Sequence, residues 1–341
     1  MEPEIILESH STQEHSIRFL TLNLLMRPPM VKNNSSDYKN ARVQYFSKFI
    51  LPNFDIVCLQ EIFGSYNKRR KFLIKRAKEQ GFEFYAVPHS ANIWTLPIID
   101  GGLLILSKYP ILESDFMPYE KGVLPDSLSK KGVLYAKIST PQEVIHVFTS
   151  HTQSSYNTNS EREWYNYRSV RREQLKQLKQ FISYKLGNKK ELAVLMGDLN
   201  VDARESQKGM HFTDGDDYEC MMRILGGKDI IREKHGYSPA TNGIVINGVP
   251  TETVLTVKDE VSNDAALDYV IAFNSKFSSF SFDLDESRVE PFYIQSQPFT
   301  QISDHAGIIT TIKFTGTQES FSVREAKQGE IEIESLRKEP L

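Results

Sequence analysis

Polar residues that could hold a metal ion occur in five short segments of this 341-residue chain, each beside a run of apolar residues. If the runs are strands whose ends converge, the segments bring carboxylates, amides and imidazoles together. This set of groups can bind a hard divalent cation and cleave a phosphate ester. The segments are Asn23, Gln60-Glu61, His151-Thr152-Gln153, Gly197-Asp198-Leu199-Asn200 and Ser303-Asp304-His305.

Glu61 is the strongest candidate for a metal ligand, because it lies at the end of the apolar run 56–59, one residue beyond it. Mg²⁺ takes one or two carboxylates and keeps several waters, so a carboxylate at the end of a strand suits it. Asn23 can ligate the ion or form a hydrogen bond beside it. Taken alone, Glu61 is more typical of a solvated strand end and Asn23 of a turn.

The segment from Gly197 to Asn200 combines a turn with two functional side chains. Gly197 permits a tight turn, and Asp198 and Asn200 project to the same side if the backbone stays extended. Asp198 is then a candidate general base, which contributes about 10²–10⁴-fold to a rate. Asn200 is a candidate donor to the charge that develops at phosphorus. By itself, Asp198 is equally typical of a capping residue before a loop.

Two histidines complete the set. His305 precedes the last apolar run and can donate to a phosphoryl oxygen or transfer a proton near neutral pH. Such a histidine needs an orienting carboxylate, and Asp268, an acid within the apolar run 267–273, requires a partner if buried. An ion pair with a lysine is the alternative for Asp268. His151 can contact the phosphate from the other side, or be structural.

Strands and helices alternate along the chain, which predicts a layered α/β fold. Continuous apolar runs indicate sheets covered on both faces. The segment 241–264 indicates a hairpin or a long excursion. The predicted strands are Ile17–Leu24, Asp55–Leu59, Gly102–Ser107, Val133–Ile138, Val144–Ser150, Leu192–Met196, Leu267–Phe273 and Ala306–Phe314, and the predicted helices are Asp37–Leu51, Asn67–Gln80 and Glu161–Leu186.

Composition narrows the class of protein. With 40% hydrophobic and 25% charged residues, the chain is typical of a soluble globular protein. A net charge of −3 gives no general attraction to nucleic acid. No apolar run reaches the roughly 20 residues that span a bilayer, and the first residues lack a signal-peptide pattern. Two cysteines form no disulfide framework, so we expect a cytoplasmic location.

The ordered segments, together with Leu267-Asp268, resemble the motifs of the endonuclease/exonuclease/phosphatase superfamily. The resemblance implies a DNase I-like, four-layer α/β sandwich, in which two packed mixed β-sheets are flanked by helices. It covers the chain from about Ile17 to Phe314. It therefore implies a catalytic domain at 16–315, between a flexible N-terminus at 1–15 and a polar tail at 316–341.

Each matched residue acquires an expected role from this resemblance. Glu61 would be the principal ligand of Mg²⁺, or of Mn²⁺ in its place, with Asn23 beside it and Asp304 supporting the site. Asp198 would activate water or help hold the metal. Asn200 would bind phosphoryl oxygens, and His305, oriented by Asp268, would stabilise charge. His151 would contact the phosphate near the leaving group. His305 is the alternative base, with Asp198 as its support.

Within the superfamily, segments 55–63, 100–110 and 151–153 are similar to those of neutral sphingomyelinases, although Thr152 stands where these usually have leucine. The expected substrate is sphingomyelin or a related choline phospholipid at a membrane surface. The apolar run 93–99 and the basic run 68–78 are candidates for peripheral contact, and each is also typical of ordinary packing or of a solvated helix. A nuclease, an inositol-phosphate 5-phosphatase and an inactive binding module remain alternatives.

Overall fold

The described part of the chain contains fourteen strands and five α-helices. The computed structural model describes residues 15–29, 31–34, 36–88, 99–120, 122–156, 160–204, 215–256, 264–275 and 280–314. The strands are β1 His15–Met26, β2 Ile56–Ile62, β3 Phe84–Ala86, β4 Leu104–Ser107, β5 Ile111–Pro118, β6 Gly132–Ser139, β7 Val144–His151, β8 Leu192–Asp198, β9 Lys228–Asp229, β10 Val245–Ile246, β11 Val249–Pro250, β12 Asp268–Phe273, β13 Phe280–Glu290 and β14 Gly307–Phe314; the helices are α1 Lys39–Tyr45, α2 Arg69–Lys78, α3 Glu161–Leu186, α4 Gly215–Leu225 and α5 Ile230–His235.

Twelve of these strands form two six-stranded mixed sheets. The first has the order β13-β14-β1-β2-β4-β3 and the second the order β5-β6-β7-β8-β12-β9. Neighbours are antiparallel except for the parallel pairs β1–β2 and β7–β8. These two parallel pairs lie centrally in their sheets, and their C-terminal ends carry four of the five segments singled out above; the fifth, Ser303-Asp304-His305, precedes β14.

Three clusters of buried apolar side chains define four layers. The first cluster contains Phe19 and Cys58 from one sheet and Val147 and Val194 from the other, so the sheets pack face to face. The second lies between the first sheet and helices α1 and α2, and the third between the second sheet and helices α3 and α4. Because side chains alternate along a strand, each central strand supplies both a sheet–sheet and a sheet–helix contact. The predicted four-layer sandwich is confirmed.

Several predicted elements differ from the observed ones. The predicted helix Asp37–Leu51 is divided into α1, a π-helical turn Phe46–Ile50 and a 3-10 turn Leu51–Asn53. The helix does not begin at Asp37, because Tyr38 has a left-handed φ of 47°. The helix predicted at Asn67–Gln80 is shorter, at Arg69–Lys78, whereas Glu161–Leu186 is helical as predicted.

Two long strands, β5 and β13, were not predicted from the sequence, and the reason is physical. Both lie at the edge of a sheet and carry several exposed or half-buried charged side chains. An edge strand has one neighbour and less buried surface, so it lacks the continuous apolar run of a central strand. Within the segment 241–264, for which a hairpin or a long excursion was predicted, β10 and β11 form a short hairpin.

Three further predictions lie outside the described residues: the flexible N-terminus apart from its last residue, the polar tail 316–341, and all of the apolar run 93–99 except Ile99. Among the described helices, none is both long enough and apolar enough to cross a membrane.

Candidate active site

Asn23 and Glu61 meet where the parallel strands β1 and β2 end. Asn23 is paired with Gln60 in the register, and its Nδ2 donates to Glu61 Oε1 at 3.2 Å. Glu61 has a left-handed φ of 54°, a conformation that costs a non-glycine residue about 1–3 kcal/mol. The remaining carboxylate oxygen, Oε2, is buried and has no hydrogen-bond partner within the described chain. Burial raises the pKa of Glu61, although the nearby charge of Arg27 opposes the shift.

Three strands of the second sheet place His151, Asp198 and Asp268 side by side. In the register, Asp198 of β8 is opposite His151 of the parallel strand β7 and opposite Asp268 of the antiparallel strand β12. Gly197 permits this arrangement, because a Cβ at that position would lie 2.2 Å from the carbonyl oxygen of Ser150. The glycine is therefore required for close approach of the two strands.

The Asn23 side chain joins the two sheets at the site. Its Nδ2 donates to Asp198 Oδ2 at 3.0 Å as well as to Glu61, so one amide touches two carboxylates from different sheets. The Asn23 carbonyl accepts from Ser303 Oγ at 2.6 Å, and the same hydroxyl is 3.1 Å from Asp304 Oδ1. The charge of Asp304 also contributes to the raised pKa of Glu61.

His305 lies between two carboxylates of the second sheet. Its Nδ1 is 2.8 Å from Asp268 Oδ2, and its Nε2 is 3.9 Å from Asp198 Oδ2. Burial opposes protonation, but Asp268 and Asp198 outweigh it and hold the pKa of His305 well above its ordinary value. The lysine partner considered for Asp268 is not observed within the described part; its hydrogen-bonded partner is the histidine.

His151, unlike His305, is held in the neutral state. Its Nε2 is 3.1 Å from the ammonium of Lys131 and 3.5 Å from Asp198 Oδ2. Burial, reinforced by Lys131, lowers the pKa of His151 to about 3. Because an ammonium can only donate, Nε2 accepts and the ring proton is on Nδ1. Nδ1 is buried without a partner among the residues described, so it can donate to a ligand.

Lys131 and Asp126 belong to this site and were missed by the sequence analysis. The Lys131 Nζ lies 2.8 Å from Asp126 Oδ2 and 2.7 Å from the carbonyl of Thr152. Asp126 also accepts from the Tyr156 hydroxyl at 2.7 Å. Lys131 stands directly before the apolar strand β6, so the pattern used for the other segments, a polar residue beside an apolar run, would have found it.

Arg42 is a second missed residue, and its role is to hold the backbone behind the site. It is fully buried, and its guanidinium donates to the carbonyls of Leu24, Leu25 and Ile302 at 2.7–2.9 Å. These bonds connect the end of β1 with the segment that leads to His305. An arginine inside a predicted helix gives no signal of such a role, because most are exposed.

Asn200 is placed differently from the expectation. The backbone does not stay extended beyond Asp198, because Asn200 has a left-handed φ of 51°. Its backbone N–H donates to Asp198 Oδ1 at 3.0 Å, and its Nδ2 donates to the Thr152 carbonyl at 3.1 Å. Asn200 therefore lies beside Asp198 through a local turn, and not through the alternation of a strand.

The residues fit a hard cation at Glu61. A buried carboxylate oxygen without a partner, close to Asp304 and Asn23, is the kind of donor set that Mg²⁺ satisfies. Ligand atoms of Asp198, Asp268 and His305 also lie within 4.8 Å of one another. In that second group the 2.8 Å bond between Asp268 and His305 already uses Nδ1 of the imidazole. The residues at Glu61 therefore fit a cation, and in the second group Asp268 orients His305.

The chain belongs to the endonuclease/exonuclease/phosphatase family, whose profile matches residues 20–305. It is 34% identical to a sphingomyelinase of Dictyostelium discoideum over 82% of this chain and 76% of the relative. It is 24% identical to a sphingomyelinase C of Bacillus cereus over 89% and 91% of the two chains. A phospholipase C of Staphylococcus aureus is 28% identical over 69% of each chain.

Solved structures of similar proteins share the fold. A Staphylococcus aureus beta toxin superimposes with a TM-score of 0.65 at 24% identity, covering 86% of this chain and 99% of the toxin. A variant of the same toxin with bound magnesium ions gives a TM-score of 0.61 at 24% identity, covering 87% and 99%. The expected superfamily is confirmed, and so is the similarity of this chain to sphingomyelinases.

Proposed function

We propose that this protein is a Mg²⁺-dependent phosphodiesterase that hydrolyses sphingomyelin, or a related choline phospholipid, to ceramide and phosphocholine. The observation that carries the proposal is the convergence of Glu61 and Asp198 on the amide of Asn23, at 3.2 and 3.0 Å. The sphingomyelinase relative that is 34% identical over most of this chain supports the substrate class.

The metal site proposed here consists of Glu61, with Asn23 and Asp304 beside it. Mg²⁺ bound there would neutralise negative charge on the phosphate as a Lewis acid. It is the ion of the magnesium-bound beta toxin variant, which shares this fold. Mn²⁺ offers similar oxygen chemistry and is the expected substitute.

We assign proton transfer to Asp198 and His305. Their facing atoms, Oδ2 and Nε2, are 3.9 Å apart, which leaves both within reach of one water molecule. Asp268 orients His305 through its Nδ1 and acts on the reaction only through that histidine. In hydrolysis the water oxygen attacks phosphorus and the bond between phosphorus and the ceramide oxygen breaks; the pair takes one proton from the water and returns one to the ceramide oxygen, which leaves as an alcohol.

His151 and Asn200 are assigned to the phosphate. His151 is neutral and has a buried Nδ1–H free of protein partners in the described chain, so it can donate to a phosphoryl or leaving oxygen. Asn200 lies next to Asp198 and can supply its amide to a phosphoryl oxygen after releasing the Thr152 carbonyl. Donors of this kind stabilise developing negative charge without acquiring charge themselves.

Hydrolysis by the purified protein tests the proposal. Sphingomyelin vesicles, DNA and inositol polyphosphates are offered in parallel with Mg²⁺ and with EDTA. We expect Mg²⁺-dependent release of phosphocholine, reduced by at least ~10²-fold in Asp198→Asn and in His305→Ala. Circular dichroism checks that both variants fold.

Other outcomes would redirect the assignment. Cleavage of DNA or of inositol phosphates in place of sphingomyelin would overturn the substrate and retain the metal site. Unchanged turnover in a folded Asp198→Asn protein would remove that residue from the proton step. The cytoplasmic location inferred from the sequence stays a prediction, which cell fractionation checks.

A further inference from the structure

An exposed apolar segment lies at the rim of the candidate site, at residues 122–129, which we call the rim segment. Leu124 is 64% exposed and Leu128 is 39% exposed. Pro125 between them is exposed as well. Large apolar side chains grouped on a surface, unlike scattered ones, mark a site of interaction.

Hydrogen bonds hold the backbone of the rim segment in place, so the exposure of its leucines does not come from a loose backbone. Ser127 N donates to the Val123 carbonyl at 3.1 Å, and Leu128 N donates to the Pro125 carbonyl at 3.1 Å. Val123 N donates to Gln153 Oε1 at 2.8 Å, which attaches the segment to the chain just after His151. The backbone that carries the two leucines is thus hydrogen-bonded both within the segment and to Gln153.

Asp126 joins the rim segment to the site. Its carboxylate lies 2.8 Å from Lys131 Nζ, and Lys131 contacts His151. The other carboxylate oxygen accepts from Tyr156, whose side chain is 36% exposed. The rim segment is therefore linked to His151 through Asp126 and Lys131.

The charge of the rim segment indicates the kind of surface it fits. Asp126 is its one charged residue, and that charge is directed inward and paired with Lys131. The segment can therefore enter an apolar medium without carrying an unpaired charge. It contributes no cation, so it suits an uncharged or zwitterionic lipid surface better than an anionic one.

We propose that the rim segment inserts Leu124 and Leu128 into the zwitterionic surface of the bilayer that contains the substrate. This inference rests on the proposed function, which requires the site to reach a phosphodiester at a bilayer surface. Contact of these two leucines with the bilayer brings the candidate site next to the lipid headgroups.

Vesicle binding with EDTA present separates docking from turnover. The probes are vesicles of sphingomyelin and phosphatidylcholine, and the variants are Leu124→Ser, Leu128→Ser and the double variant. Burial of one leucine corresponds to about a tenfold to hundredfold change in partitioning. We expect a loss of at least about tenfold for each variant, similar at low and high salt. Leu112→Ser is the matched control, since Leu112 is 59% exposed at the end of β5 remote from Lys131.

Turnover of two substrates distinguishes this inference from the proposed function. We expect the variants to lose activity on sphingomyelin vesicles and to retain it on a water-soluble choline phosphodiester. Unchanged vesicle binding in the double variant would overturn the inference even if the enzyme is active. Equal losses on the soluble substrate would also overturn it, because the leucines would then act within the site. Absence of activity on every substrate, with leucine-dependent vesicle binding retained, would overturn the proposed function alone.

Discussion

At the scale of residues, His151 and His305 lie on two sides of Asp198 and have opposite charge preferences. Both imidazoles approach Asp198 Oδ2, at 3.5 and 3.9 Å. The difference comes from their other neighbours, because His151 is next to the Lys131 ammonium and His305 is next to the Asp268 carboxylate. The Asp198 carboxylate thus lies between a neutral imidazole and a cationic one.

The lowered pKa of His151 predicts a specific dependence of stability on pH. The unfolded chain binds a proton at this histidine below pH ~6.5, and the folded state does so only near pH 3, so acid destabilises the fold. Between pH 7 and pH 5, wild type should lose about 2 kcal/mol more unfolding free energy than His151→Gln. Urea denaturation in EDTA measures the difference.

His305→Gln is the control for that experiment, because the sign reverses. The pKa of His305 is raised in the folded state, so its contribution is complete below pH ~6.5 and is lost as the pH rises through the raised value. The wild type should therefore gain stability relative to this variant as the pH falls. The same pH trend in both variants would contradict the assigned charge states.

At the scale of elements, the parallel pair β7–β8 positions two functional residues through one close contact. His151 and Asp198 are paired in the register, and the preceding pair is Ser150 with Gly197. The backbones approach so closely there that only a glycine fits. Strand spacing therefore sets the distance between His151 and Asp198.

Gly197→Ala should separate the two strands at the site. The added methyl would lie 2.2 Å from the Ser150 carbonyl, so the strands must shift, and overpacking of this kind costs about 1–3 kcal/mol. Gly187→Ala is the comparison, because its added Cβ meets nothing within 4 Å and only the φ of 52° is strained. Thermal unfolding should show a drop for both, with loss of activity confined to Gly197→Ala. Full activity in that variant would contradict a role for strand spacing.

At the scale of the whole molecule, the two sheets are joined by apolar packing along most of their interface and by polar contacts near the site. Gln60 of the first sheet donates to Thr149 Oγ1 of the second at 2.9 Å, and Asn23 donates to Asp198. The carboxylates of Glu61, Asp198 and Asp304 collect at this junction, so their mutual repulsion opposes the packing of the sheets unless a cation is bound.

Addition of Mg²⁺ should therefore stabilise the whole domain. A ligand that binds only the folded state at a hundred times its dissociation constant adds about 2.7 kcal/mol. Differential scanning calorimetry with Mg²⁺ and with EDTA should show a higher Tm with the ion. Glu61→Gln should reduce the shift, whereas Glu113→Gln, which removes an exposed partner of Lys185, should not. An equal shift in both variants would place the ion elsewhere.

Much of the fold and most of the candidate site could be predicted from the sequence. The central strands β1, β2, β7, β8 and β12 are buried on both faces, so their apolar runs stand out locally, and the polar residues at their ends stand out against those runs. The edge strands β5 and β13 were missed because half-exposed strands lose that contrast.

The tertiary structure decided which of these residues touch. Asn23 and Asp198 are 175 positions apart, and only the register of two sheets and the packing between them brings their side chains to 3.0 Å. Burial turns Lys131 from an ordinary charged residue into the partner of His151, and a left-handed turn redirects Asn200. The sequence determined the strands and the chemical groups at their ends because periodicity and burial tendency are local properties. Contacts and charge states depend on neighbours from distant segments, so they were determined only on folding.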